Sequence, residues 1–325
     1  MRFESIIGQS RAKRILNNLL KRPFIQNLLF TGPSGVGKRT MALLFAQTLN
    51  CPNGGCGRCR NCLRIERFTF PDLFLLVPIS SGESLSERTR DYALGRVAPS
   101  LRQNELINID HVRDIIIEAQ HPPVEGRRVV IIIHAHRMRY EAVSALLKVI
   151  EEQPNDTIFI LTTPQLSAIP ETIQSRCQIV RFNYLKPDEL TTVLKQKGIT
   201  TTTIIPGSPG ETIRFITSNS FELSRELFLG SPYPDRKIPS LIDQLRSPTN
   251  DLRGLIQDLL HWHQLLLYAR INPGLIDDHE IISKAKKVAE ERITKSIENL
   301  LQLNRAIDYH PNRRLLIYKL LRSLC

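Results

Sequence analysis

The stretch Gly32-Pro-Ser-Gly-Val-Gly-Lys-Arg-Thr40 constrains the fold of this chain more than any other. It follows a short apolar run, Asn27-Leu-Leu-Phe-Thr31, and precedes a helical pattern from Thr40 to Leu49. The pattern G-x-x-x-x-G-K between a strand and a helix makes a loop whose backbone N–H groups surround a phosphate, with a helix N-terminus behind it. Gly32, Gly35, Gly37, Lys38, Arg39 and Thr40 are therefore the candidate nucleotide-binding residues, and ATP or ADP is the ligand class. One position departs from the pattern. The residue after the lysine is ordinarily Ser or Thr, whose hydroxyl ligates Mg²⁺. Here it is Arg39, and Thr40 comes one place late.

A phosphate loop needs a buried strand, and the rest of the first half supplies companions. Leu73–Val77, Arg128–Ile133, Thr157–Thr162 and Ile179–Phe182 are apolar, mostly β-branched runs. Helical periods over Gln9–Leu20, Ile109–Gln120 (with Asp110 as N-cap) and Glu141–Glu152 separate them. Strands alternating with helices predict an α/β fold whose parallel sheet is covered on both faces. From about Lys186 the texture changes. A helix over Asp188–Gln196, a loop over Gly198–Gly210 and a second break at Gly230–Arg236 lead to helical patterns over Leu252–Ala269, Ile281–Ala306 and Asn312–Leu324. The polar stretch Ser80–Asn104 reads as an insertion or loop.

The 325 residues carry a net charge of +12, which favours an anionic partner such as nucleic acid. The N-terminus has no secretory apolar segment and no apolar run is long enough to span a bilayer, so the expected location is the cytoplasm. Four of the six cysteines fall in Cys-Pro-Asn-Gly-Gly-Cys-Gly-Arg-Cys-Arg-Asn-Cys, residues 51 to 62. In a reducing compartment Cys51, Cys56, Cys59 and Cys62, spaced C-x4-C-x2-C-x2-C, point to a structural Zn²⁺. Four close thiolates also suit an iron–sulfur cluster. Hydrolysis of a nucleotide would need an acidic residue at the tip of a neighbouring strand. The run Arg128–Ile133 ends instead in His134-Ala-His136-Arg137. An imidazole does not replace a hard carboxylate ligand for Mg²⁺.

These segments together resemble the AAA+ subunits of bacterial clamp loaders over most of the chain. The stretch IIGQSRAKRILNNLL is similar to that family's N-terminal box, GPSGVGKRT to its Walker A loop, and CPNGGCGRCRNC to its zinc module. SALLKVIEEQP and LTTPQLSAIPETIQSRC are the most specific matches, and LNRAIDYHPNRRLLIYKLLRSL resembles the end of the collar. The resemblance implies a RecA-like AAA+ domain with zinc module (1–185), a small helical lid (186–235) and an all-α collar used for oligomerisation (236–325). It implies partners: other clamp-loader subunits in a ring of five and, through the complex, the sliding clamp and primed DNA. It also implies that Arg176, in Ser-Arg-Cys, is an arginine finger acting in trans on a neighbour's nucleotide.

Three departures from the family's motors fall at the nucleotide site. Ile133 and His134 stand where motors carry Asp-Glu, Arg39 replaces the loop hydroxyl, and Gly207-Ser-Pro-Gly-Glu211 offers glycine and an acid where a sensor arginine belongs. The reading is a subunit of a DNA polymerase complex that does not itself hydrolyse ATP. Two alternatives remain: an active motor ATPase of the same family, and a stand-alone nucleic-acid-binding protein with a zinc module. Against the second alternative, aromatic residues are only 6% and do not alternate with cations as stacking platforms do.

Overall fold

The computed structural model describes residues 5–79, 105–152, 156–201, 204–246, 251–276, 278–309 and 312–324. The expected insertion at Ser80–Asn104 lies outside the described residues. The chain divides into two compact units, Met1–Glu189 and Leu190–Cys325.

The first unit is built on five strands: β1 (Leu28–Thr31), β2 (Leu73–Leu76), β3 (Arg128–Ile132), β4 (Thr157–Thr163) and β5 (Gln178–Arg181). Their order is β2-β3-β4-β1-β5, and every pairing is parallel. The register sets Leu28 beside both Ile160 and Gln178. All residues of β1, β3 and β4 are buried, as parallel strands covered on both faces require. Helices α1 (Ser10–Leu20), α2 (Lys38–Leu49), α3 (Arg60–Glu66), α4 (Ile109–Gln120), α5 (Tyr140–Glu152) and α6 (Glu171–Gln174) belong to this unit. On one face, alternate strand residues Val130, Ile132, Phe159 and Leu161 meet Val112 and Ile115 of α4 and Leu146 and Ile150 of α5. Side chains of period 2 thus interlock with side chains of period 3.6.

Two polar groups pin the sheet from inside. Asn27 Oδ1 accepts from Phe159 N at 3.0 Å, and Asn27 O accepts from Gln178 N at 2.7 Å, so one residue ties β4 to β5. At the start of β3, Arg128 and Asp72 are buried together with side chains 2% and 1% exposed. Asp72 accepts from the Arg128 guanidinium (3.4 Å) and from Val124 N (3.0 Å) and Glu125 N (2.6 Å). Arg128 also donates to the carbonyls of Glu118, His121 (2.7 Å) and Pro122 (3.3 Å), which anchors the turn after α4.

The second unit is helical. Helix α7 (Pro187–Gln196) contains the boundary between the units, and α8 (Pro209–Ile216), α9 (Phe221–Gly230), α10 (Ile238–Leu245), α11 (Leu252–Ile271), α12 (His279–Lys287), α13 (Glu290–Ala306) and α14 (Arg313–Ser323) follow. Its centre is Trp262 on α11, fully buried against Phe215, Phe221 and Phe228, with Nε1 donating to Ser224 Oγ at 2.8 Å. One apolar cluster runs from Phe215 to Leu324.

Two local expectations are corrected. The N-cap of α4 is Asn108, and Asp110 stands within the first turn. An acid there still favours the positive end of the helix. The expected single helix over Ile281–Ala306 is two. Val288 and Ala289 are extended between α12 and α13, and Val288 packs on the core instead of continuing the spiral.

Candidate functional site

The loop after β1 has the backbone the glycines require. Gly32 has φ 140°, and a Cβ there would stand 2.1 Å from Phe182 O, so no other residue fits. Gly35 and Gly37 have φ 72° and 98°. Gly37 is the N-cap of α2, and a Cβ on it would meet nothing within 4 Å. The loop is braced by Gln9, whose Nε2 donates to Val36 O (3.4 Å) and Asn183 O (2.7 Å) while its Oε1 accepts from Asn183 N (3.1 Å). The Lys38 ammonium lies over the loop and donates to Gly32 O at 2.5 Å and Pro33 O at 2.6 Å. Arg39 is half-buried and Thr40 exposed, in the first turn of α2. A helix turns about 100° per residue, so the Thr40 hydroxyl points well away from the direction taken by position 39.

The tips of β3 and β4 lie at the same edge of the sheet. Ile133 is buried, its N–H donating to Leu76 O at 2.9 Å. His134 takes the left-handed conformation (φ 54°), and its N–H donates to Thr162 Oγ1 at 3.2 Å. The His134 and His136 rings meet edge to face, centroids 5.6 Å apart. Burial, then the charges of His136, Lys38 and Arg137, push His134 down to about 3. Burial, Arg137 and Lys38 push His136 down to about 4. Both imidazoles are therefore neutral at pH 7, and the charges acting on them are all positive. Where a motor needs two carboxylates, this edge carries an aliphatic side chain and a neutral ring.

The four cysteines converge. Their sulfurs all lie within 4.8 Å of one another, with Cys51 Sγ 3.6 Å from those of both Cys56 and Cys59. Tetrahedral Zn–S bonds of about 2.3 Å place sulfurs about 3.8 Å apart, so the donor set fits the ion. Gly54, Gly55 and Gly57, all at positive φ, permit the wrap. Backbone N–H groups of Cys56, Cys59 and Cys62 donate to Cys51 Sγ (3.4 Å), Cys56 Sγ (3.3 Å) and Cys59 Sγ (3.5 Å). Burial works against the Cys51 thiolate, but the N–H groups of Cys56, Asn53 and Gly55 outweigh it and bring that thiol down to about 6. Burial raises Cys62 to about 12, a group that a cation must help to ionise. The module is tied to the approach to β3. Gln47 Nε2 donates to Cys62 O (2.9 Å), Asn50 exchanges hydrogen bonds with the Arg127 backbone (2.8 and 3.1 Å), and Arg64 pairs with Glu125 at 2.5 Å.

Arg176 stands elsewhere. It follows α6 and precedes β5, so it lies at the edge where the strands begin, whereas the phosphate loop lies where they end. The four-residue strands put about 10 Å of sheet between those edges. Its guanidinium is held by Glu151 Oε1 (2.7 Å), Thr172 O (3.0 Å) and Ser175 Oγ (3.3 Å) and is 39% exposed. In the second unit Glu211 is paired with Arg214 on its own helix, so that acid is compensated locally. Sequence reasoning singled out the ring of glycines, Lys38, the cysteines and Arg176 but missed Gln9, Asn50 and Glu151, whose partners are 174, 77 and 25 positions away.

A five-stranded parallel sheet with a phosphate loop after β1, in a chain that also carries a four-cysteine module and a helical C-terminal part, defines an AAA+ protein of the RecA-like kind. A DNA polymerase III gamma-subunit-related protein of Thermotoga maritima shares the fold, with a TM-score of 0.52 over 96% of this chain and 99% of that one at 16% identity. The chain belongs to the family described as DNA polymerase III, delta subunit, whose profile matches residues 8–186. It is 32% identical over 184 residues to DNA polymerase III subunit delta' of Bacillus subtilis, covering 55% of this chain and 49% of that protein. It is 33% identical over 154 residues to subunit delta' of Pseudomonas aeruginosa, covering 46% and 40%. It is 32% identical over 193 residues to subunit tau/gamma of Haemophilus influenzae, covering 58% and 24%. The chain thus spans between a quarter and a half of the length of these curated relatives. Among the described residues no helix is long and apolar enough to cross a membrane.

Proposed function

We propose that this chain is a delta'-type subunit of the DNA polymerase III clamp loader, a non-hydrolysing AAA+ scaffold that supplies Arg176 to a neighbour's ATP. Identity to tau and delta' relatives is equal, so the chemistry of individual positions decides between them. The observation that carries the reading is the electrostatics of the β3 tip. Ile133 and His134 offer no carboxylate ligand for Mg²⁺, the His134 imidazole, pushed down to about 3, is a weak base for water, and Arg39 adds a cation where the loop hydroxyl would stand. A second observation supports action in trans. Arg176 lies at the far edge of the sheet from its own loop, half-exposed, where it is available to another subunit and not to its own nucleotide.

In this reading the four cysteines hold a structural Zn²⁺, with no open position for substrate. Residues 186–235 serve as lid and 236–325 as collar within a five-subunit ring with gamma/tau and delta subunits, acting in the cytoplasm on the sliding clamp and primed DNA. The test is reconstitution with those subunits. The isolated chain turns over no ATP, while the assembled complex needs it for full DNA- and clamp-stimulated turnover. Motor-like turnover by the isolated chain would replace this reading with that of an active ATPase.

A further inference from the structure

Arg176 is an exposed side chain that must hold one direction before its target arrives. A free arginine has four rotatable side-chain bonds, whose rotamer entropy is lost when it is fixed. Three contacts already fix it. Nη2 is paired with Glu151 Oε1 at 2.7 Å, and Nη1 donates to Thr172 O at 3.0 Å and Ser175 Oγ at 3.3 Å. Thr172 and Ser175 belong to the turn that carries Arg176, so they fix only its local geometry. Glu151 comes from the last turn of α5, on a separate element packed under the sheet. It is the contact that orients the guanidinium relative to the body of the domain. Nη1 donates to two oxygens of its own turn, and Nη2 meets the Glu151 carboxylate as an ion pair. Glu151 is 49% exposed and Arg176 39%, so the pair is accessible and contributes little to folding.

We infer that Glu151 is the positioning residue for Arg176, holding the guanidinium preset for the phosphates of a neighbouring subunit's nucleotide. The inference rests on the trans role proposed above. It separates two functions of the pair. Arg176 supplies the charge; Glu151 supplies the direction and touches no substrate. The acidic neighbour Glu152 is also exposed but makes no ion pair with Arg176, so it serves as an internal control on the same helix turn.

The experiment is a double-mutant cycle in the reconstituted clamp-loading complex, with the full chain carrying Arg176→Ala, Glu151→Ala or both, and Glu152→Ala as control. The readout is kcat and KM for ATP under clamp and primed-DNA stimulation. Glu151→Ala lowers kcat several-fold with KM unchanged, Glu151→Gln retains an acceptor and falls between it and wild type, and Glu152→Ala is silent. The double variant is no slower than Arg176→Ala, because positioning a residue that is gone has no effect. A merely structural role would instead make the two losses multiply, and that result overturns the inference. So does a Glu151→Ala complex as fast as wild type, or faster. A complex indifferent to Arg176→Ala overturns the finger reading itself, and the two failures are therefore told apart.

Discussion

Asp72→Asn tests whether the buried pair at the base of β3 holds the nucleotide-type unit together. Asp72 and Arg128 are almost wholly inaccessible, and the carboxylate receives two backbone N–H groups and a guanidinium. Asparagine keeps one acceptor and turns an NH₂ toward either a backbone N–H or the guanidinium. Arg128 is then left charged, buried and short of its counter-ion. Breaking a buried pair from one side costs about 3–5 kcal/mol. For a unit of this size that corresponds to a fall of roughly 6–20 °C in its midpoint. The two units provide their own control, because the single tryptophan, Trp262, lies in the second. Hydrogen exchange of β3 amides reads the first unit, and tryptophan fluorescence reads the second. The expected outcome is an early loss of β3 protection with the fluorescence transition unmoved. A change below about 1 kcal/mol, typical of an exposed pair, would refute the assignment of this pair as a structural anchor.

Further outcomes follow from the other sites. Cys59→Ser lowers bound zinc below one equivalent, measured by elemental analysis, and loosens the Arg127 amide that Asn50 holds; wild-type protein without metal and equally stable would remove the zinc reading. Fluorescent ADP binds the full chain in magnesium-depleted, zinc-retaining buffer within about threefold of its affinity with Mg²⁺, since the site offers Mg²⁺ no carboxylate, and Lys38→Ala abolishes it. A tenfold gain on adding Mg²⁺ would contradict that. Burial pushes His263 down to about 4, with Lys284 adding to it, so the folded second unit prefers the neutral ring. Its folded value lies below the unfolded one, so the unfolded chain binds the extra proton between pH 6.5 and 4 and stability falls on acidification across that window. The loss from His263, which is 0% exposed, is about 2 kcal/mol at pH 5, read by denaturant unfolding at Trp262. Stability that is flat or rises toward pH 5 would contradict the buried neutral histidine.

The parts of this molecule that were legible in the sequence are those where one physical demand acts on neighbouring residues. The apolar runs of β1, β3 and β4 announce strands buried on both faces, and the glycines of the loop announce positive φ, met at Gly32, Gly35 and Gly37. The cysteine spacing announces convergence of four sulfurs, which the structure displays. What stayed hidden depends on residues brought together from afar. Gln9 opens the helical period Gln9–Leu20, yet it stands just before α1 and bridges the phosphate loop to Asn183. Glu151 falls inside the helical period Glu141–Glu152, where nothing names a distant partner, yet it pairs with Arg176. The break at Val288-Ala289 carries neither proline nor glycine, and the gain that stops the helix is packing of Val288 on a core assembled from other helices.

The most direct test of the whole account is the clamp- and DNA-stimulated ATPase of a reconstituted complex in which only Arg176 of this chain is replaced by alanine. An arginine finger is worth about 10³–10⁵ in rate at the site it serves. The account predicts intact assembly, intact zinc, no turnover by the isolated chain in either form, and a marked fall in the stimulated rate of the complex. An unchanged rate in a fully assembled complex would contradict it.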